Sequence, residues 1–133
     1  MARSLAEVEA VFRQCWDERT CDPAVAWDPA NPAAGHCAIT SMAVWELFGG
    51  LLLWTDVFRR DGEPSGLHYW NLLPAGVEVD LTRDQFRDGE RFGPVSAQEP
   101  LRLPTARMAT RYDLFAARVR ARLGGPLPEG IPG

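Results

Sequence analysis

No lysine occurs in this sequence; all 14 basic residues are arginine. Schiff-base and other lysine chemistry is thereby excluded, and we read the arginine-only usage as the mark of a GC-rich source. No apolar run approaches the roughly 18 residues of a membrane span, the longest being Leu51–Trp54, so no membrane association is expected. The N-terminal MARSLAEVEAVF carries glutamates where a signal peptide needs an unbroken apolar stretch, which points to a cytoplasmic protein. Positive charge is also lacking. A net charge of −4 argues against general nucleic-acid binding, although Leu101–Leu123 gathers six arginines against one aspartate. That cluster reads as a solvated helix face or as a patch for an acidic partner. The three cysteines, Cys15, Cys21 and Cys37, cannot all pair, and their spacing matches neither a C-x-x-C motif nor a zinc knuckle, so free thiols in a reducing compartment are expected.

What is present is one domain's worth of ordinary globular sequence, 133 residues with 46% hydrophobic and 24% charged, enough for a core without disulfide or metal. We expect a single domain over residues 1–124 and a disordered tail over 125–133. Ser4–Glu7 has capping-box spacing, and Leu5, Val8, Val11, Phe12, Cys15 and Trp16 recur at helical intervals, predicting a helix to about Glu18. Cys15 lies on its apolar stripe, and Cys21 reads as a loop thiol. Cys21–Gly35 has three X-Pro steps and should stay irregular, with Trp27 either pinning the loop or walling a cleft. The next helix begins near Cys37 and is apolar nearly all round, which marks it as central and buried, until Gly49-Gly50 ends it.

Strands follow at Leu51–Phe58, Leu67–Leu73 and Val77–Leu81, with a polar connection over Arg59–Gly66 and a tight turn at Pro74-Ala75-Gly76. Thr82–Gln85 opens a short turn or helix at Gln85-Phe86. Residues 87–104 read as polar and irregular. Thr110–Asp113 has capping-box spacing before a last helix facing inward through Leu114, Phe115, Val119 and Leu123. The expected architecture is α+β: a buried helix with Cys37 at its N-terminus on a small antiparallel sheet, flanked by N- and C-terminal helices.

A thiol at a helix N-terminus can have its pKa lowered by the unpaired N–H groups there. Thiol catalysis also needs an imidazole and a group to orient it, and His68 and Asp80 supply both types. Across a hairpin turning at Pro74–Gly76, residues whose numbers total about 150 lie opposite, so His68 and Asp80 should be neighbours. A slip of one residue would turn Asp80 away. Asp80 has a second reading as the cap of the turn at Thr82. Alternation places His68 and Trp70 on one face, Tyr69 and Asn71 on the other. A metal site from His36, Cys37, His68 and Asp80 is disfavoured because adjacent ligands chelate badly, and no cofactor is called for.

HYWNLLPAGVEVDLT resembles the transglutaminase-like pattern of His-x-Trp on one strand and Val-Asp-x-Thr on the next, matching at His68, Trp70, Val79, Asp80 and Thr82. More closely, NPAAGHCAITSMAVWELFGG, HYWN, VDLT and Gln85-Phe86 are similar to the YunG-like family of small bacterial proteins, over roughly residues 27–86. The resemblance implies a papain-like or transglutaminase-like core with Cys37 as nucleophile, His68 as base and Asp80 as orienter. Where that family is expected to carry glutamine before the cysteine this chain has His36, an oxyanion or substrate-binding candidate beside Trp70 and Trp27. The expected function is cysteine-dependent acyl transfer on a peptide or small amide or ester, by hydrolysis, deamidation or transfer to an amine. The alternative is a non-catalytic binding or immunity-type module whose arginine-rich last helix contacts an acidic partner. Nothing in the pattern specifies an oligomer.

Overall fold

A computed structural model of the chain describes residues 4–98 and 106–124. The first helix, α1 (Leu5–Cys15), begins with the expected cap, Glu7 N donating to Ser4 Oγ at 3.2 Å. It stops short of Glu18 because Trp16 turns extended and the next residues close a turn of their own, Asp17 N donating to Thr20 Oγ1 at 3.0 Å. The proline-rich connection stays free of helix and strand. Cys21, expected in a loop, is buried: its thiol is ringed by the carbonyl oxygens of Asp22, Val25 and Ala34 at 3.5–3.6 Å. Gly35 lies against it with φ +83, where a Cβ would collide with the Cys21 sulfur, so only glycine lets the chain turn into the next helix there.

That helix, α2 (Cys37–Phe48), starts and ends where the sequence places it, with Gly49 at φ 78 returning its N–H to Trp45 O. Ile39, Met42, Ala43 and Val44 are buried, and so are Thr40 and Ser41. Both hydroxyls are paired: Trp16 Nε1 donates to Thr40 Oγ1 at 3.1 Å, and Ser41 Oγ donates to Ala38 O at 3.0 Å. An apolar helix tolerates such residues because a satisfied hydroxyl carries little desolvation cost.

The sheet is antiparallel and built on β1 (Leu51–Phe58) and β2 (Pro64–Leu72), with β3 (Glu78–Val79), β4 (Arg91–Phe92) and β5 (Ser96–Gln98) around them. Its order is β3-β2-β1-β4, and β5 also pairs with β1. The β2 strand starts earlier than expected because pairing with β1 carries on through Gly66 and Pro64 across a bulge. The β3 strand is shorter than expected, pairing only Asn71↔Val79 and Leu72↔Glu78. β4 and β5 lie where an irregular segment was expected; their residues carry no strand pattern and are held by the far edge of β1. The predicted turn after Thr82 is a 3-10 turn at Arg83–Gln85 without a side-chain cap.

The last helix, α3 (Ala106–Leu123), begins well before Thr110, so the Thr110–Asp113 spacing falls inside it and is no cap. Residues 99–105, including the end of the segment 87–104 expected to be irregular, and the expected tail 125–133 lie outside the described residues. One apolar cluster joins α1, α2, α3 and the sheet, with Phe12 and Phe115 meeting at 5.2 Å between ring centroids. The α+β arrangement of a buried helix on an antiparallel sheet between two outer helices is thus present. Among the described residues no helix is long and apolar enough to cross a membrane.

Phe115 is fully buried. Truncating it to alanine removes the α1–α3 ring contact and should lower the unfolding free energy by about 3–5 kcal/mol, read from urea denaturation.

Candidate functional site

Asn71 and Val79 pair across the β2–β3 hairpin, the register expected from the turn at Pro74–Gly76. It brings His68 Nε2 to 2.7 Å from Asp80 Oδ2. Asp80 makes both contacts the sequence left open. Its Oδ1 accepts from Thr82 N at 3.2 Å and closes the turn, while Oδ2 takes His68 and, at 2.6 Å, Arg83 Nε. Burial pushes the Asp80 carboxyl up, but the His68 hydrogen bond and charge, followed by those of Arg83, outweigh it and hold the pKa below the usual carboxylate value. An ionised carboxylate only accepts, so Nε2 carries the proton and the lone pair of the neutral ring is on Nδ1. His68 Nδ1 is buried and has no hydrogen-bond partner.

Aromatic rings fix the imidazole plane. Trp70 stacks on His68 at 5.3 Å and 17°, Phe86 meets it edge-on at 4.7 Å, and Phe92 lies at 5.5 Å. Arg83 covers the cluster with its guanidinium 4.6 Å from the Phe92 ring centre. His68 and Trp70 share a face as alternation requires. Trp70 is 3% exposed and donates Nε1 to Glu78, so it packs the imidazole and does not wall the cleft.

Cys37 is the first residue of α2 and lines a cleft of about 790 Å³ between the 22–35 loop, the start of β2, the 83–85 turn and α3. The loop is tied to the far wall by Asn31 Nδ2 to Gln85 O at 3.1 Å and Arg87 to Ala30 O at 2.7 Å. Trp27 is half-buried, with its indole N–H donating to Pro32 O; it pins the loop and does not line the cleft. The thiol does not have the low pKa expected from its position. Burial pushes the Cys37 pKa up to about 11; the Tyr69 and Ala38 N–H groups facing the sulfur pull down, and the charges of Asp80 and Asp22 push up. Desolvation outweighs the helix terminus here. The sulfur lies against Tyr69, the chain neighbour of His68, but makes no hydrogen bond to Nδ1. Two of three catalytic candidates are therefore joined directly, and the third faces Tyr69, the residue next to His68 in β2.

His36 is not placed as an oxyanion donor. It is fully buried, stacked on Trp16 at 5.4 Å, with Nε2 at 2.8 Å from Thr20 Oγ1, and it gives α2 no side-chain cap. The residue preceding Cys37 faces the core because the turn at Ala33–His36 directs it there. Residues the sequence reading passed over are Tyr69, Arg83, Phe86 and Arg111. Arg111 lines the cleft with a buried Nε that has no partner. Other arginines of α3 are engaged within the chain: Arg118 bonds Asp17 at 2.9 Å and Cys15 O at 3.1 Å, and Arg122 donates to Arg118 O. Among the described residues, no group of three or more His, Cys, Asp or Glu is placed to hold a metal ion.

Comparison with known proteins gives one family. The profile of the YunG protein family matches residues 4–124. The chain is also 25% identical over 83 residues to "Uncharacterized protein YunG" of Bacillus subtilis (strain 168), a match covering 62% of this chain and 64% of that protein's length. No solved structure matches.

Burial lowers the His36 pKa from 6.5 to about 4. Protonation therefore favours the unfolded chain, and this contribution to stability is complete above 6.5, declines as pH falls toward 4, and levels off below. Between pH 7 and pH 4 the native chain should lose about 3 kcal/mol more than the His36→Gln variant, measured as paired urea unfolding curves.

Proposed function

For this chain, which belongs to the YunG protein family, we propose a cysteine-dependent acyl-transfer activity on a papain-like or transglutaminase-like core. Cys37 is the nucleophile, His68 the base and Asp80 the group that orients it. The observation that carries this reading is the buried imidazole, bonded through Nε2 to a carboxylate, with an unpartnered Nδ1, on the strand whose next residue, Tyr69, lines the cleft that holds Cys37.

The Cys37 sulfur attacks the carbonyl carbon of an amide or ester while its proton passes to His68 Nδ1. With a thiol pKa of about 11 the proton leaves as the carbon–sulfur bond forms, without a standing thiolate–imidazolium pair. A rotation of the thiol toward Nδ1 is part of this step, since the two are not hydrogen-bonded at rest. Ala38 N–H and Tyr69 N–H, which face the sulfur, are the donors nearest the developing negative charge. Collapse of the tetrahedral adduct breaks the bond to the leaving amine or alcohol, which takes the proton from Nδ1. Water or an amine then resolves the thioester by the same exchange in reverse. Asp80 stabilises the imidazolium at each transfer, and Trp70, Phe86 and Phe92 keep the ring in plane with it.

The test is acylation by p-nitrophenyl acetate, followed as nitrophenolate release and as one acetyl group located by peptide mass mapping. Acetyl on Cys37, lost in Cys37→Ser and slowed about 10²- to 10⁴-fold in His68→Ala, is the expected result. Acetylation of Cys15 or Cys21 in place of Cys37, or an unchanged rate in His68→Ala, would overturn the assignment.

A further inference from the structure

The β2 strand has neighbours of very unequal length. β1 runs beside it from Pro64 to Leu72, whereas β3 pairs only Asn71 and Leu72. The stretch from Pro64 to Trp70 is therefore unpaired on the β3 side among the described residues. Two observations fix which backbone groups point that way. Asp56, the β1 partner of Leu67, gives its carbonyl to Gly93 N on the opposite side, so Asp56 and Leu67 do not bond each other. Tyr69, two residues along, shares that direction, and its N–H faces the Cys37 sulfur. In an antiparallel ladder alternate residues aim their N–H and C=O the same way, so Leu67 presents both groups to the open edge beside Tyr69. Ser65 is left out of the β1 pairing by the bulge.

This edge runs along the wall of the cleft that contains Cys37, at Ser65, Gly66, Leu67 and Tyr69. Leu67 is 48% exposed. Natural edge strands are blunted by charges or by cover, and the residues PSGLHYW bring no Asp, Glu or Arg side chain to this edge. Resting on the acyl-transfer reading, we infer that the substrate is an extended peptide segment that binds as an added strand on β2, taking the place β3 leaves empty. Main-chain pairing at Leu67 sets the peptide's next residues about 7 Å further along the strand, at the Tyr69 N–H and the Cys37 sulfur, which is where a scissile carbonyl has to lie. The carboxylates of Asp22, Asp88 and Glu90 outnumber Arg111 in the same lining, so the segment is neutral or basic.

The probe is the peptide acetyl-Val-Arg-Val-Thr-Val-amide, and the readout is amide hydrogen exchange in the full chain. Saturating peptide should slow exchange at Leu67 about tenfold or more, and the same peptide N-methylated throughout should not. Leu67→Pro removes an N–H that β1 does not use and should abolish binding with the β1–β2 ladder intact, whereas Leu67→Thr should keep it. The N-methyl comparison stands even if the proline variant fails to fold. No added protection at Leu67, or equal protection by the methylated peptide, would overturn the inference. The readout does not involve the thiol. Protection at Leu67 together with an inert Cys37 would refute acyl transfer and leave the strand site, and the reverse outcome would refute the strand site alone.

Discussion

The burial of α2 is the constraint on which the other arrangements hang. Its apolar circumference has to be covered on every side, and the chain does so with the sheet on one flank and the α1–α3 pair on the other. A directional contact fixes its placement along the strands: Asn71 Nδ2 donates to Ser41 O at 2.9 Å, locking β2 to the helix. Because Cys37 begins that helix and Tyr69 lies two residues before Asn71 on the same face, one interaction places the thiol against the strand that carries His68. The Gly35 turn and the paired hydroxyls of Thr40 and Ser41 let the helix be central with its two buried hydroxyls satisfied.

The same burial governs the electrostatics. At Asp80 charged and hydrogen-bonding partners outweigh desolvation, so the carboxylate stays ionised and holds the imidazole in one tautomer. At Cys37 two backbone N–H groups do not outweigh it, and two nearby carboxylates add to it, so the thiol rests protonated. At His36, buried with Thr20 and Trp16, the neutral ring is favoured by a wide margin. Three buried titratable groups thus meet different fates according to whether an opposite charge accompanies them inside.

Local sequence determined the elements whose signals are local: the apolar run and double glycine of α2, the β1 pattern at Leu51–Phe58, the Ser4–Glu7 cap, and the turn at Pro74–Gly76. From that turn alone the proximity of His68 to Asp80 follows, since hairpin register depends on turn position and not on the remainder of the fold. Tertiary structure decided the rest. The β4 and β5 strands exist only because β1 offers a free edge, and α3 begins ahead of the Thr110 box. The direction His36 faces, the burial of Cys21, the height of the Cys37 pKa and the unpaired length of β2 are settled by which surfaces close over which groups, and a one-dimensional pattern contains no term for that.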